Sequence, residues 1–450
     1  MNEERTKILV AGGGISGVGA AKMLLDTGKG VILYDGNETL SKENLEKQLP
    51  GAEIVLGELT DEILSETEAC VISPGIPLRA PFVKKIQAAG IPIWSEIEAA
   101  FRHAKGRLAA ITGTNGKTTT TALTGKIFGN YYKSSFVVGN IGTAYTAKAL
   151  ETTGESVTVA EVSSFQLETI DTFHPQVSAI LNLTPDHLDR HGSMEEYVRV
   201  KELITKNQTG EDTCVLNYED PLLREFGKSL RPRVVYFSSR ERVPGGIWLD
   251  GDQIISELHG EPEEVVKTGE LQILGLHNYE NAMAAAAVAD AMGVPMEVIR
   301  KTLREFTAVE HRIEFVVERD GVAYYNDSKG TNPDAAIKGI CAMVRPTVLI
   351  AGGYDKGSDY TEWLEACRGK MKKLILLGQT AEKIAEEARS LGYGDCLSFA
   401  DSMEDAMAQA AQAAVPGDAV LLSPACASWG MFKNYEERGR IFKELARKRN

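Results

Sequence analysis

Apolar segments alternate with amphipathic ones along the whole chain, and this alternation predicts successive strands and helices of the α/β class. The first series runs from an apolar strand at residues 7–11 through a glycine turn into a helix at residues 20–26 and a second strand at residues 31–35. A strand at residues 70–73 follows, and then a helix from Pro81 to about Trp94. This series predicts a small, doubly wound α/β unit.

A second alternating series begins at residue 108. It predicts two strands and two helices, near residues 156–162, 177–183, 195–206 and 278–291. Within this series, residues 243–260 contain several glycines and a proline, which indicates short antiparallel strands joined by turns. The series predicts a second, larger α/β domain.

Residues 306–309 interrupt the alternation, and a third series follows them. Asp320-Gly321 predicts the turn of a β-hairpin. Three further strands alternate with helices, at residues 347–351, 374–378 and 419–423. The sequence therefore predicts three α/β domains, at residues 1–97, 98–308 and 309–450.

The length and charge of the chain narrow the classes of function. A chain of 450 residues exceeds the roughly 300 residues that one hydrophobic core supports, which agrees with several domains. Acidic residues outnumber basic ones by 63 to 49, which gives a formal charge of -14. Nucleic acids and anionic membranes attract basic surfaces, so the charge argues against both as partners.

Six cysteines are scattered without the short paired spacings of zinc sites or disulfide frameworks, which favours reduced thiols. The chain begins Met1-Asn2-Glu3-Glu4 and enters a strand directly. No apolar stretch reaches the roughly 18 residues of a membrane span. We therefore expect a cytoplasmic protein without membrane insertion.

A glycine loop at residues 113–119, Gly-Thr-Asn-Gly-Lys-Thr-Thr, directly follows the apolar segment 108–111. A strand that enters such a loop and leaves it as a helix places backbone N–H groups, an ammonium group and a hydroxyl group around one anion. The usual phosphate-loop pattern has a glycine where this chain has Ile111, so the loop is a shortened variant. It predicts a site for the phosphates of a nucleoside triphosphate.

Gly12, Gly14 and Gly17 form a second glycine motif, and Asp35 ends the next predicted strand. This is the fingerprint of dinucleotide-binding domains, with a helix N-terminus for a diphosphate and a carboxylate for a ribose or a base. Read alone, it favours a nicotinamide-dependent oxidoreductase. The same geometry suits the diphosphate of any nucleotide-linked molecule, and close packing without a ligand is a further alternative.

Acidic and histidine side chains follow strands of the second series. Glu161 ends one strand, and Asp186-His187 follow another. Because ligands gather at the carboxyl ends of strands in open α/β sheets, Glu161 can coordinate the Mg²⁺ that Thr118 also contacts. His187 can act as a metal ligand or as an acid–base group. Lys201 is, by pattern alone, an ordinary lysine on a helix face.

Polar and basic residues also mark the remainder of the chain. Asn278 and Asn281 lie three positions apart on one helix face and can contact a base or a phosphate, although Asn278 can equally cap the helix. Arg312 can bind a phosphate through two parallel hydrogen bonds. Basic and hydroxyl groups end three strands, at residues 327–332, 352–357 and 423–428. These groups predict an acidic substrate.

Taken in this order, the segments resemble the Mur ligases, the ATP-dependent amide ligases that build the peptidoglycan precursor. The resemblance covers essentially the whole chain. It rests on a signature shared by the superfamily, including folylpolyglutamate synthases, at residues 113–118, Glu161, Asp186-His187, His277-Asn278, Asn281 and His311-Arg312. Residues 326–333 and 423–428 are similar to those of the D-glutamate-adding members.

The resemblance implies a three-domain α/β fold, with Rossmann-like N- and C-terminal domains and a central P-loop ATPase-like domain. It implies a ligase that uses ATP to join D-glutamate to UDP-N-acetylmuramoyl-L-alanine through an acyl phosphate. Two Mg²⁺ sites are implied, at which Mn²⁺ can substitute. We expect a monomer.

The resemblance also implies roles for the matching residues. The implied catalytic residues are Lys117, His187 and Lys201. The implied metal ligands are Thr118, Glu161, His187 and a carbamylated Lys201. Contacts to ATP are implied for Gly113, Thr114, Asn115, Gly116, Lys117, Thr118, Thr119, Asn278, Asn281, Arg312, Asp327 and Lys329. Contacts to the UDP-muramoyl substrate are implied for Gly14, Ile15, Ser16, Asp35, Gly36, Ser73, Gly139, Asn140 and His187. Contacts to D-glutamate are implied for Thr331, Lys356, Ser428 and Tyr435.

Three positions depart from the family pattern. Tyr435 replaces the usual phenylalanine, and Trp429 stands where a smaller apolar residue is expected, so the resemblance supports the details of the glutamate pocket less well. Gly330 replaces a common alanine with no evident chemical cost. From the residues alone, two other classes stay open, an NAD-dependent oxidoreductase and a nucleotide-regulated binding protein without catalysis.

Overall fold

The computed structural model describes residues 6–140, 142–307, 309–355 and 357–448, with the backbone alone of Asp189. The chain forms three separate sheets of five, nine and six strands. It divides into two compact units. The first extends to Val265 and includes Asn281–Thr302, and the second comprises Val266–Glu280 and the chain from Leu303 onward.

The first sheet is a parallel sheet with helices on both faces, as predicted. Its elements are β1 (Lys7–Ala11), α1 (Ile15–Asp26), β2 (Gly30–Asp35), α2 (Lys42–Gln48), β3 (Glu53–Leu56), α3 (Asp61–Glu66), β4 (Thr67–Ile72), α4 (Pro81–Ala88), β5 (Ile93–Ser95) and α5 (Glu96–His103). The strand order is β3-β2-β1-β4-β5. The order reverses between β1 and β4, and in such sheets the reversal opens a crevice at the carboxyl ends of the strands.

The prediction of a helix from Pro81 to about Trp94 is wrong at its end. The helix stops at Ala88, and residues 93–95 form the edge strand β5. Gly90 adopts a φ of 69°, a left-handed conformation that commonly terminates helices, and Pro92 cannot continue one.

The second sheet has the order β14-β13-β12-β11-β10-β9-β6-β8-β7. The elements of this part of the chain are β6 (Arg107–Thr112), α6 (Lys117–Tyr131), β7 (Ser135–Gly139), β8 (Val157–Glu161), α7 (Ser164–Leu167), β9 (Val177–Ile180), α8 (Leu188–His191), α9 (Met194–Glu202), β10 (Thr213–Asn217), α10 (Pro221–Gly227), β11 (Arg233–Ser238), β12 (Ile247–Asp250), β13 (Gln253–Ser256), β14 (Glu263–Lys267), α11 (Leu276–Ala291) and α12 (Met296–Glu305). The antiparallel pair β12 and β13 confirms the prediction for residues 243–260.

The third sheet has the order β15-β16-β20-β17-β18-β19. Its elements are β15 (Glu314–Arg319), β16 (Val322–Asn326), α13 (Pro333–Cys341), β17 (Thr347–Ala351), α14 (Thr361–Ala366), β18 (Met371–Leu376), α15 (Ala381–Ser390), β19 (Leu397–Phe399), α16 (Met403–Ala413), β20 (Ala419–Leu422) and α17 (Tyr435–Arg447). The predicted hairpin is confirmed, since β15 and β16 pair antiparallel around Asp320 and Gly321. Both turn residues have positive φ, as a two-residue hairpin turn requires.

Successive side chains of a strand point to opposite faces of its sheet, so they belong to different hydrophobic cores. In β1, Ile8 and Val10 belong to one buried cluster, whereas Leu9 and Ala11 belong to another. Strands buried on both faces read as continuous apolar runs, which is the pattern that predicted them. All the cysteines are free thiols. Among the described residues, no helix combines the length and hydropathy needed to cross a bilayer.

Replacing Gly17 by alanine should destabilise the first unit. The added Cβ would lie 1.8 Å from the carbonyl oxygen of Gly12, so α1 would have to shift away from the β1 turn. Overpacking of this kind costs about 1–3 kcal/mol, and we expect a lower midpoint of thermal unfolding. Gly14→Ala is the matched control, because a Cβ at Gly14 meets nothing within 4 Å. Equal midpoints for the two variants would contradict the packing role of Gly17.

Candidate active site

The glycine loop between β6 and α6 is closely packed on both sides. Gly113 has a φ of 144°, and Gly116, which caps α6, has a φ of 86°. A Cβ at Gly116 would lie 2.3 Å from Oδ1 of Asn281, which also accepts a hydrogen bond from Thr120 Oγ1 at 3.2 Å. The first turn of α6 holds Lys117, Thr118 and Thr119 and has no acidic residue. Such a helix N-terminus, without a competing carboxylate, suits an anion.

Two lysines converge on this loop. Lys117 Nζ donates hydrogen bonds of 2.9 Å to the carbonyls of Gly113 and Thr114. Lys201 Nζ donates to the same Gly113 carbonyl at 2.8 Å. Lys201 is 2% exposed, and burial, with the nearby Lys117 cation, lowers its pKa well below the usual range. The interpretation of Lys201 as an ordinary surface lysine is therefore wrong.

Two residues that the sequence analysis did not single out hold the loop in place. Asn182 Oδ1 accepts from the backbone N–H of Asn115 at 2.8 Å, and its Nδ2 donates to the carbonyl of Asn115 at 3.0 Å. The Tyr197 hydroxyl lies 3.0 Å from Thr114 Oγ1. Asn182 follows strand β9 at the ligand-binding edge of the sheet, a position that could have indicated it. No comparable sequence signal marks Tyr197.

Glu161 is the last residue of β8, and its carboxylate is buried with one oxygen hydrogen-bonded. Its Oε1 accepts from Asn140 Nδ2 at 3.1 Å, and its Oε2 is buried without a hydrogen-bond partner in the part of the chain that the structure describes. A Cβ at Gly139 would lie 2.1 Å from the Glu161 carbonyl, and the Asn140 N–H donates to that carbonyl at 2.9 Å. A buried carboxylate oxygen without a partner among the described residues fits the hard oxygen ligands that Mg²⁺ prefers.

His187 immediately precedes α8 in a left-handed conformation, with a φ of 52°. Its imidazole is half exposed, and its Nε2 lies 3.6 Å from Asp186 Oδ2. Its ring lies 5.0 Å, centroid to centroid, from the ring of Phe165. His187 lies in the loop between β9 and α8, and its place at the sheet edge and its role at a metal stay predictions.

A cavity of about 570 Å³ opens at the carboxyl ends of β1, β2 and β4. Predicted substrate residues that line it are Gly14, Ile15, Ser16, Asp35, Gly36 and Ser73. Ser73 Oγ is buried without a hydrogen-bond partner among the described residues, so it is available to a ligand. Gly139, Asn140 and His187, the other residues predicted for this substrate, do not line the cavity.

The Asp35 carboxylate accepts hydrogen bonds from backbone N–H groups, one of them in the glycine turn. Its Oδ2 accepts from the Gly13 N–H at 2.7 Å, and its Oδ1 accepts from the Asn37 N–H at 2.9 Å. These bonds fix the carboxylate at the wall of the cavity.

In the second unit, Asp327 follows β16 as a buried carboxyl group. Its Oδ2 accepts from Ser423 Oγ at 2.7 Å. Burial raises its pKa to about 7, against the opposing influence of Ser423 and of the Arg312 and Arg438 cations. A Cβ at Gly330 would lie 2.6 Å from that Oδ2. Alanine at this position would therefore crowd Asp327, and the expectation that glycine carries no chemical cost here stays a prediction.

Arg312 lies between two residues with left-handed backbones, His311 with a φ of 66° and Ile313 with a φ of 46°. Its Nε is buried without a hydrogen-bond partner in the described chain. Such strained conformations cost free energy and are concentrated at functional sites. Lys329 Nζ lies 5.4 Å from the centroid of the Tyr435 ring.

Arg438, which the sequence analysis missed, joins the loops of this unit. Its Nε donates to Ser328 Oγ at 3.0 Å, its Nη2 to the Ser328 carbonyl at 2.7 Å, and its Nη1 to the Cys426 carbonyl at 3.2 Å. Ser328 Oγ donates in turn to the Tyr435 carbonyl at 2.8 Å. Because Arg438 lies inside a helix of ordinary amphipathic pattern, no local signal indicates this role.

The remaining predicted residues occupy this unit and the preceding helix. Ser428 is buried after β20, and Thr331 donates its N–H to the Lys329 carbonyl at 2.9 Å. Asn278 Nδ2 donates to the Leu274 carbonyl at 2.8 Å. Lys356, predicted to contact D-glutamate, lies outside the described residues.

Comparison with known proteins identifies the family. Three family models match successive parts of the chain: the Mur ligase MurD-like N-terminal domain at residues 6–95, the Mur ligase middle domain at residues 111–289, and the Mur ligase glutamate ligase domain at residues 311–426. The chain belongs to the Mur ligase family. The predicted family and its three-domain α/β architecture are thereby confirmed, while the domain boundaries at residues 97 and 308 stay predictions.

Close relatives of this Mur ligase carry one name. The UDP-N-acetylmuramoylalanine--D-glutamate ligase of Lachnospira eligens is 51% identical over 99% of both chains. The protein of the same name from Lachnoclostridium phytofermentans is 52% identical over 99% of this chain and 98% of its own. The fold also matches the UDP-N-acetylmuramate-alanine ligase structure from Thermotoga maritima, with a TM-score of 0.61, 20% identity and coverage of 98% and 99%.

The raised pKa of Asp327 makes the stability of this Mur ligase depend on pH. In the unfolded chain the carboxyl group ionises near its ordinary pKa of 3.8, whereas in the folded protein it keeps its proton up to about pH 7. Ionising Asp327 in the folded protein therefore costs stability, a cost that is absent below about pH 4 and complete above about pH 7. We expect Asp327→Asn to gain stability relative to the wild type as the pH rises through this window, in urea unfolding followed by tryptophan fluorescence.

Asp320→Asn is the control for that measurement. Asp320 is exposed in the β15–β16 turn, and asparagine accepts its left-handed backbone. The gain in stability of Asp327→Asn over this pH range should exceed any change that Asp320→Asn shows. Parallel pH profiles for the wild type and Asp327→Asn would contradict the raised pKa.

Proposed function

We propose that this chain is the ATP-dependent ligase that joins D-glutamate to UDP-N-acetylmuramoyl-L-alanine, releasing ADP and phosphate in the synthesis of the peptidoglycan precursor. The observation that carries the proposal is that about half of all positions are identical to ligases of that name over 99% of the chain. The proposed setting is a monomer in the cytoplasm.

The reaction needs an activated carboxylate, because a carboxylate ion is a poor electrophile. In the proposed first step, an oxygen of the L-alanine carboxylate attacks the γ-phosphorus of ATP, and the bond to the leaving ADP breaks. The product is an acyl phosphate. The amine of D-glutamate then adds to the acyl carbon, the tetrahedral adduct expels phosphate, and the amine proton passes to solvent.

The glycine loop and Lys117 support the first step. The N–H groups at the start of α6 and the Lys117 ammonium can neutralise charge on the transferring phosphoryl group, which is the main task of a protein in this chemistry. Lys117 now hydrogen-bonds to carbonyls of its own loop. It must exchange those bonds for phosphate oxygens when ATP binds.

Thr118, Glu161, His187 and a carbamylated Lys201 are the residues that we propose to hold Mg²⁺, in two sites that can also take Mn²⁺. When bound, the metal offsets the negative charge of the phosphates. The partnerless Glu161 oxygen supports this assignment most directly.

The burial of Lys201 supports carbamylation. Burial and the Lys117 cation lower the pKa of Lys201, which favours the neutral amine, whose free electron pair can attack CO₂. A nitrogen–carbon bond forms, one proton leaves to solvent, and the amine becomes an anionic carbamate. The change replaces a hydrogen-bond donor with an oxygen ligand that suits a metal.

We assign the N-terminal cavity to the UDP-muramoyl substrate. The exposed start of α1, which provides a helix N-terminus without an acidic side chain, supports a diphosphate there. D-glutamate is assigned to the loops that carry Thr331, Ser428, Tyr435 and Lys356. Asn278, Asn281, Arg312, Asp327 and Lys329 are assigned to ATP.

A phosphate-release assay tests the function. With ATP, Mg²⁺ and UDP-N-acetylmuramoyl-L-alanine, phosphate release should require D-glutamate and should not respond to L-alanine, lysine or diaminopimelate. Lys117→Ala should lower the rate by about 100-fold or more, because it removes a group that stabilises the transferring phosphoryl group. Binding of the UDP substrate should change little. Phosphate release at the same rate with and without D-glutamate would exclude the proposal.

Lys201→Ala should lose activity and recover part of it when short-chain carboxylates are added, since these can occupy the place of the carbamate. Lys228→Ala, which alters an exposed lysine on a distant helix, is the control and should show neither effect. Loss of activity without recovery, together with an unmodified Lys201 by mass spectrometry, would remove the carbamate from the mechanism.

A further inference from the structure

Arg190 is hydrogen-bonded to the loop that forms one wall of the N-terminal cavity. The loop at residues 73–77 follows β4 and lines the cavity. Arg190 Nη1 donates to the Pro74 carbonyl at 2.6 Å, and Nη2 donates to the Ile76 carbonyl at 3.1 Å. Arg190 itself does not line the cavity. It can therefore influence a ligand only through the position of the loop.

The guanidinium group is fixed from a second direction. Nη2 also donates to Glu168 Oε2 at 2.9 Å, and the guanidinium carbon lies 4.1 Å from the centroid of the Phe165 ring. The Arg190 and Glu168 side chains are only 13% and 12% exposed. Arginine suits this place because its planar group presents several donors at fixed angles and stacks on an aromatic ring, whereas lysine offers a single point charge.

The loop that Arg190 holds carries a group poised for a ligand. Ser73 Oγ is buried without a hydrogen-bond partner among the described residues, and it faces the glycine turn, since a Cβ at Gly12 would lie 2.5 Å from it. The orientation of this hydroxyl depends on the backbone of the loop. Two of the carbonyls of that backbone are hydrogen-bonded to Arg190.

We propose that Arg190 is a positioning residue for the nucleotide-linked substrate, holding the 73–77 loop against the glycine turn so that the cavity is formed before the ligand arrives. This rests on the proposed function, because it takes the cavity as the UDP-substrate site. Preorganisation of this kind raises affinity by removing the cost of ordering the loop on binding.

Arg190→Met should weaken binding of UDP-N-acetylmuramoyl-L-alanine about tenfold or more, as measured by calorimetry without ATP, since a freed loop must be ordered on binding. The KM for ATP should stay within about twofold of the wild-type value. Arg190→Lys should recover only part of the affinity. Arg199→Met is the control, because Arg199 is 59% exposed and pairs with Glu196 on its own helix, and this variant should bind the substrate normally.

Glu168→Gln provides a second variant in case Arg190→Met does not fold. It keeps the shape and a hydrogen-bond acceptor but removes the charge, so a smaller loss of substrate affinity is expected. Wild-type affinity in both Arg190→Met and Glu168→Gln would overturn the proposal, and so would equal losses for ATP and the UDP substrate, which would indicate a general structural role. If the wild type itself fails to bind UDP-N-acetylmuramoyl-L-alanine, the proposed function falls as well.

Discussion

Two lysine amines share the carbonyl oxygen of Gly113, and much of the candidate site depends on that arrangement. Burial and the Lys117 cation both lower the pKa of Lys201, because two like charges repel when no anion lies between them. Burial favours a neutral Lys201, while Lys117 keeps its bonds to the loop. The Lys117 ammonium group therefore lies at the edge of β6, where it can offset the negative charge of a triphosphate.

The same loop imposes constraints on residues distant in sequence. Asn281 fills the space that a side chain at Gly116 would need, and Asn182 pairs with the backbone of Asn115. Each of these contacts restricts the conformations that the loop can adopt. A loop ordered in advance does not have to be ordered by the nucleotide.

Local patterns were sufficient for most of the elements and insufficient for the contacts between them. The hairpin at Asp320-Gly321 and the glycine loop follow from backbone requirements that only a few residue types meet, so both could be predicted. The local pattern did not indicate a role for Lys201, because its helix has an ordinary polar pattern and its Nζ contacts a loop distant in the chain. The role predicted for Lys201 came from the family resemblance. Arg438 could not be predicted for the same reason, since two of its three acceptors belong to Ser328, which is distant in the chain.

Ile15 is 92% exposed at the mouth of the N-terminal cavity, an unusual place for a large apolar side chain. Covering such a side chain with a ligand removes apolar surface from water, and this gives binding a negative change in heat capacity. The affinity of the cavity would then respond to temperature in a way that diphosphate contacts alone do not produce. One isoleucine beside a helix N-terminus thus gives a site for an anion a hydrophobic component.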